Sequence, residues 1–319
     1  MDIHFAPLQG YTTALYRRLH HTMWGGVECY YTPFVRIEKG DFRRRDLSDI
    51  ALENNVNTPV IPQMLPRDAE ELQRLTELFL SNGYKRADIN MGCPFPPVAL
   101  HGRGSGLLPH KEMVAELMQA TKAYPEMQFS VKMRLGWQEP DEWRELIDIL
   151  NDTTLTHIAL HPRIGRQQYK GSVDIKAFEE FRLKCSHKII YNGDLNTVAD
   201  IERFKSQFPT IENIMLGRGL LARPYLSTLL TSDKAPSNSE IIERTHAFHN
   251  ALYNELQATS QGESQLMQRA HALWEYFLPQ APRKERKLVI KSSSARQYQI
   301  ATEQLFASWH ADCNNTELM

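Results

Sequence analysis

Short apolar runs recur along the first two-thirds of the chain, and most are followed by a stretch whose apolar residues fall three and four positions apart. The runs predict strands at 3–6, 27–31, 60–64, 87–90, 129–133, 157–160, 188–191 and 213–216. Between them the spacing predicts helices, as over 68–82, where Leu72, Leu75, Leu78 and Phe79 share a face, and over 111–123. Strands alternating with helices argue for a parallel sheet, and eight such units in roughly 230 residues match a closed (β/α)8 TIM barrel of the α/β class. A doubly wound sheet is the rival arrangement, but no GxGxxG follows the first strand. After Pro224-Tyr225 the pattern changes. Positions 232–239, rich in Ser, Pro and Asn, read as a linker. From Glu240 onward, apolar residues at Ile241, Ile242, Ala247, Phe248, Leu252 and Leu256, then over 266–277 and 288–306, predict a small helical bundle. The chain is thus expected to divide into a barrel domain over 1–231 and a C-terminal helical domain over 240–319.

With 42% hydrophobic and 24% charged residues the composition is that of an ordinary globular protein, and no apolar run approaches the length of a bilayer span. The N-terminus, Met1-Asp2-Ile3-His4, enters a strand with no basic region or cleavage site, so a cytoplasmic protein with no membrane association is expected, and a monomer is expected as its state. Cys29, Cys93, Cys185 and Cys313 are far apart and show no CxxC spacing, which suggests free thiols and neither a metal site nor a disulfide framework. The formal net charge of −1 hides segregated charge. Basic residues cluster at Arg43-Arg44-Arg45, at Arg163, Arg166 and Lys170, and over 283–291 with Arg296 beyond. A polyanion-binding enzyme needs such local positive fields and not a positive total, although any one cluster can equally be a solvated face.

The candidate chemistry lies at the predicted strand ends, where barrels of this kind carry their active sites. Asn90-Met91-Gly92-Cys93-Pro94 leaves a cysteine on a loop just past a strand, with Gly92 allowing the turn and Pro94 stopping the strand. A thiol there can act as nucleophile, ligand or proton donor, and the turn-rich stretch 96–108 reads as a long functional loop. A buried structural cysteine is the competing reading. Lys132, on one face of its strand with Ser130 and Arg134, needs an anion or electron-rich acceptor inside a barrel, and a Schiff-base role of the aldolase type is open to it. His161, with Arg163 two residues on, can hold a phosphate, a flavin or a carbonyl, whereas His20, His21, His246 and His249 lie on helices without carboxylate partners. Two glycine turns on consecutive strand ends, Asn192-Gly193-Asp194 and Gly217-Arg218-Gly219, suit phosphate binding.

Taken together these residues resemble the tRNA-dihydrouridine synthases, flavin-dependent reductases with an FMN-binding barrel and a C-terminal helical domain. The matching pieces run in order: Ala6-Pro7-Leu8, Gln63, the Asn-x-Gly-Cys-Pro motif with its trailing Gly104-Ser105-Gly106-Leu107-Leu108, Lys132-x-Arg134, His161-x-Arg163 and the two glycine turns. Phe34-Val35-Arg36 and Arg134-Leu135-Gly136-Trp137 are most similar to the bacterial C-type branch, which acts at position 16 of the D-loop. Thr13, Pro33, Leu65-Pro66 and Pro162 depart from the family pattern.

The resemblance implies that uracil is reduced by FMN, with NADPH as reductant, and that Cys93 supplies the proton. It implies that Ala6, Pro7, Leu8, Gln63, Lys132, His161, Asn192, Gly193, Asp194, Gly217 and Arg218 hold the cofactor. Asn90, Arg134, Arg163, Arg36 and Tyr169 would face the substrate, and the helical domain would bind tRNA. Two other readings stand beside this one: a flavin barrel acting on free pyrimidines or dihydroorotate, which the basic tail disfavours, and a non-catalytic tRNA-binding protein, which intact Cys93, Lys132 and His161 disfavour.

Overall fold

A computed structural model describes residues 1–312, so Cys313 lies outside the described residues. The chain forms two compact units. The first comprises Met1–Ala14, Glu28–Asp194 and Phe208–Leu216, and the second Leu15–Val27, Leu195–Gln207 and the chain from Gly217 onward.

The first unit holds every described strand: β1 (Asp2–Phe5), β2 (Cys29–Tyr31), β3 (Ile37–Glu38), β4 (Asp41–Phe42), β5 (Val60–Ile61), β6 (Gln63–Met64), β7 (Arg86–Met91), β8 (Gln128–Gly136), β9 (Ile158–Ile164), β10 (Ile189–Tyr191) and β11 (Asn213–Leu216). Apart from the antiparallel hairpin of β3 and β4, they form one sheet in the order β5-β2-β1-β11-β10-β9-β8-β7-β6, with parallel pairing throughout. The two ends of that sheet, β5 and β6, are consecutive in the chain and separated only by Pro62, so the sheet closes on itself as a barrel of eight chain segments. All eight predicted strands are present. The one predicted over 60–64 is split because Pro62 has no N–H to give. Its carbonyl still accepts the Asp88 N–H at 3.0 Å, and the neighbouring Gln63 N–H turns to Thr32 Oγ1 at 3.0 Å.

Register places polar residues in layers inside the barrel. Gln63 pairs with Asp88 and Asp88 with Ser130, Asn90 pairs with Lys132, and Arg134 pairs with His161. Residues paired in register on adjacent strands face the same side, so these side chains form one interior column toward the strand ends. A separate set has His4 Nδ1 3.0 Å from Tyr31 OH, which lies 2.9 Å from His157 Nε2. Burial lowers the pKa of His4 to about 4 and that of His157 to about 3, so both rings are neutral. Outside the strands, Ala69–Ser81 begins where the Asp68 carboxylate accepts the Glu71 N–H and buries Leu72, Leu75 and Phe79 as the spacing predicts.

The second unit is helical, and from Ser237 onward its helices are Asn238–Thr259, Glu263–Leu273, Arg283–Lys291 and Ala295–Ala311. The non-helical stretch expected as a linker ends at Ser237, which caps the next helix in a reciprocal box with Glu240. The helical pattern read through 288–306 is interrupted at Ser292-Ser293-Ser294, because Ser294 turns its hydroxyl onto the Gln297 N–H and starts a new helix there. His249 stacks on Tyr298, whose hydroxyl accepts the Trp274 Nε1 proton at 2.8 Å. The expectation that His246 has no carboxylate partner is corrected: its Nε2 lies 3.1 Å from Glu303 Oε1, across from the helix that carries it. Among the described residues no helix is long and apolar enough to cross a membrane.

Candidate active site

Strand β7 ends one residue before Gly92, and the turn beyond it is built by Asn90. The Asn90 Oδ1 accepts the N–H of Gly92 at 3.0 Å and that of Cys93 at 2.8 Å, pinning the backbone that carries the thiol. From the other side, Ser105 donates its hydroxyl and its N–H to the Cys93 carbonyl at 2.8 and 3.1 Å. The stretch expected as a long loop is therefore a folded clasp: a short helix at Pro96–Ala99 and a 3-10 turn at Gly104–Leu107. Two of its glycines, Gly104 and Gly106, are there for clearance. A Cβ on Gly106 would stand 1.9 Å from the Ala99 carbonyl oxygen, and one on Gly104 would stand 2.8 Å from Cys93 Cβ.

The half-buried thiol packs against Phe34, Leu65 and Val98. Burial raises its pKa, and the Phe95 N–H with the charges of Arg134, Lys132 and Arg36 only partly offsets this. Cys93 is therefore a protonated thiol at neutral pH, suited to giving a proton.

Beneath Cys93 runs a chain of amides that sequence reading missed in part. Gln63 Nε2 donates to Asp88 Oδ2 at 2.7 Å, Asn90 Nδ2 donates to Gln63 Oε1 at 2.8 Å, and Ser130 donates to Asp88 Oδ1 at 2.6 Å. Backbone N–H groups at the top can only donate and an ionised carboxylate at the bottom can only accept, so every amide in the chain has a forced orientation. Asp88 is fully buried, and desolvation raises its pKa to about 6 against the pull of Gln63, Ser130 and Lys132. Lys132 has its pKa lowered to about 8 by desolvation and by Arg134, with Asp88 and Cys93 opposing. The signal for Asp88 in the sequence is a carboxylate two residues before Asn90 in an apolar strand.

The next strand ends bring in the remaining polar groups of this unit. Arg134 donates from Nε to the Gly92 carbonyl at 3.0 Å and from Nη1 to the Ile164 carbonyl at 2.9 Å, and its guanidinium lies 5.7 Å from the Tyr169 ring centre. Tyr169 is exposed and lies 6.3 Å from the His161 ring. Arg163 is 2% exposed and grips Asp194 through both Nη atoms, at 3.0 and 2.5 Å. Asn192 Nδ2 donates to the Met215 carbonyl at 2.8 Å. Arg36 donates to Glu38 at 3.3 Å.

Other expected cofactor residues sit where the backbone is tied. Ala6 N–H bonds the Leu216 carbonyl at 2.8 Å, and beyond Pro7 the Leu8 N–H donates to Thr12 Oγ1 at 2.9 Å. In the second unit, Gly217 precedes the short helix Arg218–Ala222. Gly219 there is required by packing, since a Cβ would stand 2.4 Å from the Leu195 carbonyl oxygen.

A family model described as "Dihydrouridine synthase (Dus)" matches residues 4–308. A probable tRNA-dihydrouridine synthase 2 of Bacillus subtilis is 27% identical over 229 residues, covering 69% of each chain. A probable tRNA-dihydrouridine synthase of Staphylococcus aureus is 32% identical over 164 residues, or 50% of this chain and 49% of that protein. A tRNA-dihydrouridine synthase B of Shewanella oneidensis is 27% identical over 51% of each chain, so these last two alignments span only about half of the relatives' length. Among solved structures, morphinone reductase superposes with a TM-score of 0.53 at 9% identity over 73% of this chain and 86% of that one. The old yellow enzyme homologue of Zymomonas mobilis gives 0.53 at 12% identity over 74% and 89%. At such identity these two likenesses speak to the barrel alone. With a family match running nearly the whole length of the chain and its strand-end residues in the expected order, the chain belongs to the dihydrouridine synthase family of flavin-dependent oxidoreductases.

Proposed function

We propose that this protein reduces a uridine of tRNA to 5,6-dihydrouridine, with FMN held in the barrel and NADPH as the reductant. The observation that carries the reading is the Cys93 thiol, held above the barrel's polar column by Asn90 and kept protonated by burial. The residues present fit a flavin: Lys132 is a desolvated cation midway along β8, suited to an electron-rich ring edge, and Gln63 and His161 stand in the same interior column. When bound, the flavin supplies the hydride that C6 of the base receives. Cys93 gives its proton to C5 from the other side, and a thiol above its ordinary pKa is in the right state to do so. Asn90 and Arg134, both fixed by bonds to the Gly92 segment, orient the base, with Arg36 and Tyr169 around them.

Within the first unit Asn192, Gly193 and Asp194 are the groups offered to the FMN phosphate, and Ala6, Pro7 and Leu8 a backbone wall for the ring. The target uridine has to leave its stack to reach such a site, which favours recognition of the base edge and of the surrounding fold of the RNA. Residues 1–231 would then be the catalytic part and 240–319 the part that docks tRNA, with position 16 of the D-loop as the target. Mass-spectrometric mapping of dihydrouridine in tRNA from cells lacking the gene tests this. Loss of one D-loop dihydrouridine supports the reading, and an unchanged map overturns it.

A further inference from the structure

We infer that Arg163 does not serve as a substrate contact but as a positioning residue that holds His161 in its neutral, Nδ1-protonated tautomer. A guanidinium has five N–H donors and, in a protein, is never deprotonated. Four of those of Arg163 are committed. Nη1 donates to His161 Nε2 at 3.1 Å and to Asp194 Oδ1 at 3.0 Å, while Nη2 donates to Asp194 Oδ2 at 2.5 Å and to the Gly171 carbonyl at 2.6 Å. The fifth, on Nε, is buried and has no hydrogen-bond partner among the described residues.

Because Arg163 can only donate, His161 Nε2 must accept with its lone pair, and the single ring proton has to sit on Nδ1. Protonating Nε2 as well would remove that acceptor and set an imidazolium against a guanidinium in a buried site. The fork cannot swing away, since Asp194 engages both its Nη atoms from a left-handed backbone conformation (φ 47°) that aspartate tolerates better than most residues. Gly193 brings the chain close beneath the ring: a Cβ there would stand 2.9 Å from Val173 Cγ1 and 3.4 Å from His161 Cδ2. The outcome is a histidine whose Nδ1 is a neutral hydrogen-bond donor, fixed by a neighbour that touches no reacting atom. What that donor serves, the flavin or the base, rests on the function proposed above, but the tautomer does not.

Two measurements test it. In protein labelled with 15N-histidine, ring proton–nitrogen correlations, assigned by comparison with His161→Gln, should show Nδ1 protonated and Nε2 bare at neutral pH. Arg163→Met should move the proton to Nε2, and Arg163→Gln, whose amide can still donate, should restore it. A wild-type ring protonated at Nε2, or a tautomer indifferent to Arg163→Met, overturns the inference. For turnover, His161→Asn, which puts an amide where Nδ1 stands, should retain dihydrouridine formation within about tenfold, whereas His161→Gln, which mimics Nε2, should lose about a hundredfold. The reverse order also overturns it. If the wild-type protein forms no dihydrouridine and binds no FMN, the proposed function fails while the tautomer measurement stands.

Discussion

Asn90 holds Cys93 through one atom: the Asn90 Oδ1 accepts the Cys93 N–H at 2.8 Å, and nothing about the thiol itself is engaged by that bond. Position and proton supply are therefore separable. Cys93→Ala should fold, take up FMN and accept electrons from NADPH, but lose about a hundredfold to ten-thousandfold in uracil reduction, the usual worth of a general acid. Asn90→Ala keeps the thiol and should show a smaller loss. Stopped-flow measurement of the two half-reactions separates the cases, and wild-type turnover of tRNA by Cys93→Ala would make the cysteine structural.

Lys132 should give the flavin site its own pH dependence. Its pKa is lowered to about 8, so its charge is present below that pH and is lost as pH rises through it. FMN retention should weaken between about pH 7.5 and 9. Lys132→Met should bind FMN more weakly at neutral pH and show no such fall, as followed by flavin fluorescence on titration. A variant with the wild-type profile would remove Lys132 from the cofactor site.

Four buried histidines should make the protein sensitive to acid. His4, His20, His157 and His249 have pKa values lowered by burial to about 4, 3, 3 and 4, against 6.5 for the unfolded chain. Between those limits the unfolded state binds more protons, so stability is full above about pH 6.5 and falls as pH drops. Asp88 has the opposite sign: its raised pKa of about 6 means that the folded state takes up the proton first, returning part of the loss. With three protons net, the slope should be about 4 kcal/mol per pH unit. Urea midpoints from pH 7 to 5 measure it, and His4→Gln with His157→Gln should flatten the curve.

The basic helix Arg283–Lys291 should not act as a uniform patch. Arg286 turns inward, donating to the Phe277 carbonyl at 3.2 Å and to that of Trp274, and burial lowers its pKa. Lys284, Lys287, Lys291 and Arg296 are exposed. Neutralising Lys284, Lys287 and Lys291 should weaken tRNA binding and reduce the log-log salt slope by about one unit for each phosphate that is no longer neutralised. Arg286→Ala should instead lower the melting temperature. Unchanged tRNA affinity in the triple variant would move the docking surface to Arg44 and Arg45 or to Arg166 and Lys170.

The same division explains what sequence could and could not show. Strand positions were legible because apolar runs bounded by turns leave few alternatives, and candidate site residues could be named because they are polar groups within or just past those runs. Direction was not. Each of the three basic clusters holds one arginine that faces inward: Arg43 onto Asp46, Arg163 onto Asp194, and Arg286 onto main-chain carbonyls. Its partner is three residues away in one case, 31 in the next and a helix end in the last, and only the first is visible as a spacing. Asp88 was passed over for the related reason that an isolated carboxylate in a strand shows its importance only when Gln63 and Ser130 are brought to it.

Pro62 makes the joint between β5 and β6 the thinnest line of the barrel, with strands of two residues on either side of a residue that cannot donate. Opening should begin there. Amide exchange at Thr32, Gln63 and Asp88 should outpace exchange within the long β7–β8 pairing, as sub-global breathing follows the fewest main-chain bonds. Beside that joint the bonds from Gln63 to Asp88 and Asn90 tie β6 to β7 as side-chain stitches, and Asn90 in turn carries Cys93. Any ligand that settles on Gln63 therefore tightens the wall of the cylinder and the cysteine together, and slower exchange at the Cys93 amide would report a filled site before any base has arrived.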